Sequence, residues 1–271
     1  MSARKVLYIC QEIFPYLPET EESACCRSLA QAMQERGLEI RTFMPRFGCI
    51  NERRNQLHEV IRLSGMNLII DDNDHQLIIK VASIPSVRIQ VYFIDNDDYF
   101  ARKAALRSAE DGSWFDDNDE RAIFFARGVL ETVRKLRWAP AVVHCHGWFS
   151  AVAPIYLRKI FADDPVFRDT KIVVSLYDDA FPGTLDSGFA AKIANEGVTD
   201  DNLKNLAEPS YENLMRFVID YADAVVAASA GVKPELVEYA RQSGKPLLEF
   251  DPAAEQQEAF DKYKRFYDGL F

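Results

Sequence analysis

An α/β fold built on a doubly wound, mostly parallel sheet is what this sequence predicts, and three observations carry it. Short, nearly continuous apolar runs recur along the chain, as strands covered on both faces require. Longer segments between them repeat apolar residues at helical spacing. The first strand, helix and strand fit within about forty residues, the length of a βαβ unit, whose crossover is right-handed.

Lys5 to Cys10 is the first apolar run. Gln11 to Glu22 is irregular, and Ser23 is the expected N-cap of a helix that carries Cys25, Cys26, Leu29, Ala30 and Met33 on one face. Gly37 supplies the left-handed residue that ends it, and Leu38, Ile40, Thr42 and Met44 alternate as the second strand. Leu77 to Val81 and Val87 to Ile94 flank Ser83-Ile84-Pro85-Ser86 and read as a β-hairpin insertion. Asp119 to Arg137 is a helix with a broad apolar stripe, followed by a strand over Ala141 to His146 and a helix near Trp148 to Ile160. Lys171 to Tyr177 and Ala224 to Ser229 are further strands, separated by a helix near Glu208 to Tyr221. Pro234 sits in the first turn of a last helix before the run Pro246 to Phe250. Residues 1–250 are expected to form one domain and residues 251–271 a C-terminal helix packed on it. Phe260, Tyr263, Phe266, Tyr267 and Phe271 share a face of that helix, which needs cover from this domain or from a dimer contact.

Hydrophobic residues make up 48% and charged residues 27% of the 271, a globular composition that excludes wholesale disorder. Lys and Arg total 32 against 42 Asp and Glu, giving a net charge of −10, which disfavours nucleic acid and anionic membrane surfaces as partners. No apolar run approaches the roughly 18 residues that span a bilayer. The apolar stretch after Met1-Ser2-Ala3-Arg4-Lys5 is too short for a signal peptide. Cys10, Cys25, Cys26, Cys49 and Cys145 lie in apolar segments and are odd in number, which suits reduced thiols and a cytoplasmic location.

Ligands of an open α/β sheet bind in loops at the carboxyl ends of its strands, and four such loops carry chemistry. The first, Gln11 to Glu22, has no Gly and no Lys but holds Glu19, Glu21 and Glu22, so it cannot cradle a phosphate. The second, Asp116-Asp117-Asn118-Asp119-Glu120, precedes a helix; capping accounts for it on one reading, and a sugar-hydroxyl or catalytic role for Asp117 on another. The third is His144-Cys145-His146-Gly147-Trp148. Its two imidazoles point the same way on a strand, but no third metal ligand shows a recognisable spacing, so no metal is expected. Trp148 is either core or a stacking platform for a sugar. The fourth, Tyr177-Asp178-Asp179, is acidic and stands at a strand end, where a nucleophile or general acid fits without any spacing that demands one.

These loops, in this order, resemble the N-terminal domain of bacterial and plant glycogen/starch synthases, retaining glucosyltransferases of the GT-B architecture. Glu12-Ile13-Phe14-Pro15 resembles the family's opening motif, and Met44-Pro45-Arg46-Phe47-Gly48 is similar to its MPRYG turn. Tyr92-Phe93-Ile94-Asp95-Asn96, with Tyr99, Phe100 and Arg102, resembles FLDNPEYFxR. Asp117-Asn118 with Arg121 and Phe124 resembles DNxxRF, Val143 to Trp148 resembles VHxHDWH, and Tyr221-Ala222-Asp223 with Ala228-Ser229 resembles YADxVxxVS. The likeness runs to about residue 240.

The resemblance implies a Rossmann-like GT-B half and α-1,4-glucan synthesis from a sugar nucleotide. It implies substrate-binding positions at Glu12, Asp117, Asn118, His144, His146 and Trp148, with Asp117 the matched position nearest to catalysis and no cofactor. Departures sit at the chemistry. KTGGL, whose Lys and glycines meet the sugar nucleotide in the family, falls on Pro18-Glu19-Thr20-Glu21-Glu22; HDWH becomes His146-Gly147-Trp148-Phe149; and TIHN becomes Ser175-Leu176-Tyr177-Asp178. The family's second Rossmann-like domain has no counterpart in this sequence. Charge on a leaving diphosphate has to be neutralised in the transition state, so this chain alone is expected to be a very poor synthase. Its expected partners are a glucan, and a protein or second copy over the cleft or the C-terminal helix. A non-catalytic glucan- or protein-binding role stays open beside the transferase reading.

Overall fold

The computed structural model describes residues 4–271 except Pro85, Ser86 and Arg88. The elements are β1 (Lys5–Cys10), α1 (Glu21–Glu35), β2 (Glu39–Pro45), the two-residue β3 (His58–Glu59), β4 (Met66–Ile70), β5 (Asn73–Ile84) and β6 (Ile89–Asp95). Next come α2 (Asp97–Phe100), α3 (Asn118–Lys135), β7 (Val142–His146), α4 (Ala153–Lys159), β8 (Lys171–Leu176), α5 (Phe189–Asn195) and α6 (Tyr211–Tyr221). The chain then runs through β9 (Ala224–Ala227), α7 (Pro234–Gln242), β10 (Leu247–Glu249) and α8 (Gln256–Asp268).

The sheet order is β10-β9-β8-β7-β1-β2-β6-β5-β3, parallel from β10 through β6. From β1 the chain winds outward through β2 and β6, then returns to β7 on the other flank of β1. The reversal lies between β1 and β7, where an open sheet leaves a crevice at its carboxyl edge. This is the doubly wound, Rossmann-like sheet expected. No helix among the described residues is long and apolar enough to cross a membrane.

Several local expectations are corrected. Thr20, not Ser23, caps α1: its hydroxyl accepts from the Ser23 amide while the Ser23 hydroxyl accepts from the Thr20 amide, a reciprocal capping box. The hairpin is not an appendage. Its second strand, β6, runs parallel to β2 and so extends the main sheet, while β5 pairs antiparallel with β6 and also with β4. The expected turn residues Pro85 and Ser86 lie outside the described residues. The segment near Trp148 to Ile160 divides into a 3-10 turn, Trp148–Ser150, and α4. α5 was not anticipated, since its seven residues are too few to display a period.

The aromatic face of α8 packs back on the chain. Tyr267 is 2% exposed, and its hydroxyl lies 3.1 Å from the Tyr8 hydroxyl and 2.6 Å from His144 Nδ1. His144 Nε2 in turn meets the Ser175 hydroxyl at 2.7 Å. One buried polar chain therefore ties α8 to β1, β7 and β8. Tyr267→Phe leaves Tyr8 and His144 without that partner, and a buried polar group left unpaired costs roughly 1–3 kcal/mol. Urea denaturation of Y267F is expected to show a loss of that size with an unchanged m-value.

Candidate functional site

The reversal between β1 and β7 delivers two loop starts side by side, and the Gln11 amide donates to the His146 carbonyl at 3.2 Å. A cavity of about 600 Å³ opens above them. Gln11, Glu12 and Glu22 form one wall, Trp148 and Tyr177 to Asp179 another, and Arg107 with Trp114 the far side. Arg107 lies over the Trp114 ring at 4.5 Å, and the Trp114 and Trp148 rings stand 6.3 Å apart.

The base of this cavity is lined by carboxyl groups. Glu22, in the first turn of α1, is 4% exposed. It accepts from Gln11 Nε2 at 3.4 Å through one oxygen, while Oε1 is buried with no hydrogen-bond partner. The carboxylate presses on Gly147, whose φ is +74° and where a Cβ would stand 2.5 Å from Glu22 Oε1. Gly147 is thus required both by its left-handed backbone and by the carboxylate beside it. Gln11 braces the same spot, accepting the Phe149 amide at 3.1 Å.

Two further carboxylates complete the cluster. Asp179 accepts from the Trp148 amide at 2.7 Å and from the Tyr211 hydroxyl at 2.6 Å. Glu12 accepts from the Thr20 hydroxyl. Burial raises all three above the usual carboxyl range; Asp179 and Glu12 push Glu22 further up, and Asp179 reaches about 6. Such a pocket accepts hydrogen bonds from hydroxyl groups and repels phosphate.

The expected site residues divide. Glu12 lines the cavity; Trp148 borders it with a fully buried side chain, which makes it core rather than a stacking platform. Asp117 does not: it pairs with Arg102 at 2.6 Å, and it precedes α3 without a side-chain capping bond, which corrects the capping reading. Asn118 is a buried brace, donating to the Leu106 carbonyl at 2.9 Å and accepting from Arg121 at 2.6 Å, and it borders a smaller cavity of about 380 Å³ that shares Trp114. Arg121 is fully buried against Phe47, Phe100 and Phe115, and that burial lowers it to about 9. His144 and His146 lie fully buried under α1 and α8 rather than in the cavity. Arg107, Trp114 and Tyr211 were missed, because only tertiary packing brings them to the loops that carried the motifs; Gln11 opens the first loop, but nothing local marks its amide as a brace.

The match to the starch synthase catalytic domain family model extends over residues 5–248. The chain belongs to that family. This starch synthase-family chain is 35% identical to the glycogen synthase of Chlorobium limicola over 195 residues, 72% of the chain and 40% of that relative. It is 31% identical to the glycogen synthase of Chlorobaculum tepidum over 267 residues, 98% of the chain and 53% of the relative. It therefore spans about half the length of the curated relatives it matches. Among solved structures, the catalytic domain of starch synthase IV from Arabidopsis thaliana, bound to ADP and acarbose, superposes with a TM-score of 0.72. That match has 16% identity and covers 94% of this chain and 54% of the other, which establishes the shared fold.

The raised carboxyls make the stability of this starch synthase-family chain depend on pH. Between the ordinary aspartate value of about 3.9 and the folded value of about 6 at Asp179, the folded state holds more protons than the unfolded one. Stability therefore falls as pH rises through that window. Glu22→Gln removes the charge and keeps the shape. Thermal melts are expected to show E22Q more stable than the parent at pH 8, on the order of 1 kcal/mol, with the gain shrinking toward pH 5.

Proposed function

We propose that this chain serves α-1,4-glucan synthesis as a glucan-binding half of the synthase fold and does not by itself engage a sugar nucleotide. The observation that carries the reading is the buried Glu22 carboxylate, held against Gly147 between Glu12 and Asp179 at the crevice of the sheet. A diphosphate approaching the first turn of α1 would meet Glu21 and Glu22, and the side-chain cap from Thr20 already occupies the Ser23 amide. Of the two ligands held by the Arabidopsis domain, the acidic cavity suits acarbose rather than ADP. Carboxylates take hydrogen bonds from sugar hydroxyls, and the half-buried indole of Trp114 offers an apolar face to a sugar ring.

Affinity electrophoresis and calorimetry test this together. Migration of the native chain is expected to slow in gels containing glycogen or amylopectin, and Trp114→Ala is expected to weaken that retardation roughly tenfold while preserving the circular dichroism spectrum. ADP-glucose and UDP-glucose are expected to give no heat of binding. Micromolar affinity for either nucleotide, or sugar transfer to glycogen by the chain alone, contradicts the reading.

A further inference from the structure

Beneath the acidic cavity, on the face of the sheet covered by α1 and α8, lies a second cluster with different chemistry. Cys10 ends β1, His146 ends β7 directly opposite it in register, and Cys26 comes down from the second turn of α1. All three are buried, and one ligand atom from each lies within 4.8 Å of the others. Around an ion bound at about 2.3 Å to sulfur and 2.0 Å to nitrogen, such donors stand roughly 3.5–4 Å apart. A shift below about 1 Å therefore closes the triangle.

The imidazole is already set up as a ligand. His146 Nδ1 lies 2.8 Å from the Tyr177 hydroxyl, while Nε2 is buried with no hydrogen-bond partner. With Nδ1–H donating to Tyr177, the Nε2 lone pair is free. A hydrogen bond from the second ring nitrogen to an oxygen is what orients a metal-binding histidine. The adjacent His144 differs, because both of its nitrogens are engaged, by Tyr267 and Ser175.

We infer that Cys10, Cys26 and His146 form a binding site for a thiophilic d10 cation, Zn²⁺ or Cu⁺. Two sulfurs and an imidazole are the donor set such ions select, whereas Mg²⁺ and Ca²⁺ demand oxygen. On binding, each thiol gives up its proton and forms a metal–sulfur bond, with no change in oxidation state. Uptake of the ion therefore releases protons. Because the donors are enclosed, loading accompanies folding.

The test refolds the full-length chain from guanidinium under a thiol-free reductant, with Zn²⁺, with Cu⁺ under nitrogen, or with chelator. Bound metal is counted by mass spectrometry after desalting. Close to one equivalent of one of the two ions is expected, with a higher Tm than the chelated chain. Co²⁺ in place of zinc is expected to give the near-ultraviolet band of thiolate-to-cobalt charge transfer at an intensity for two sulfurs, a readout that needs no variant. Cys26→Val is expected to weaken binding at least about 100-fold and Tyr177→Phe about tenfold, whereas substitution of the exposed Cys49 by Ser leaves the stoichiometry unchanged. Failure of the folded parent to retain either ion, absence of the cobalt–thiolate band, or an unaltered stoichiometry in C26V overturns the inference.

Discussion

A carboxylate buried where the sheet reverses direction constrains everything near it. Glu22 sits against Gly147, and Gly147 has neither a Cβ nor a right-handed backbone to offer in its place. Gln11 bridges the two by holding Glu22 and the Phe149 amide at once. Asp179 then fixes Trp148, and Tyr211 fixes Asp179. The cavity floor is thus a connected set of hydrogen bonds whose charge stays negative or is relieved only by protonation. A cluster of this kind costs stability, since like charges in a poorly solvated place raise one another's pKa values. Its place beside a crevice of about 600 Å³ is the physical ground for the proposal that the crevice takes a hydroxyl-bearing ligand.

Much of the architecture was legible because periodicity reports burial. The continuous runs at Lys5–Cys10, Val142–His146 and Lys171–Leu176 are buried on both faces, and the β1, β7 and β8 assignments follow from that alone. Gly37 ends α1 at φ +84°, as a C′ glycine does. The Thr20 cap was misread because Ser23 belongs to the same reciprocal box at the other end. Sequence spacing names both residues without ordering them. The hairpin was seen but misplaced, since antiparallel pairing with a neighbour says nothing of the parallel pairing of β6 with β2.

The site was legible in charge and less so in position. The acidic loop from Gln11 to Glu22 read in the sequence does supply Glu12 and Glu22 to the cavity. Several of the residues that the family motifs marked have buried structural partners here, whereas Glu12 lines the cavity. Asn118 and Arg121 brace the loop that ends in Trp114, and His144 anchors the terminal helix through Tyr267. The two imidazoles of β7 looked like a metal pair lacking a third ligand. Of the two, only His146 has cysteines beside it, and Cys10 and Cys26 come from a different strand and from a helix, so no local spacing could join them to it. Polar chemistry on the face under α8 and polar chemistry at the carboxyl edge are separate features of one sheet, distinguished by which way alternate residues of β7 and the loop beyond it point.

The central claim is that negative side chains bar a nucleotide's phosphates from the first turn of α1. Its most direct test is a crystal of the chain soaked in millimolar ADP-glucose and solved at high resolution. The account expects the crevice near Glu21, Glu22 and Gly147 to hold water or carbohydrate and no phosphate density. A diphosphate ordered beside the Glu22 carboxylate at the α1 N-terminus would contradict it.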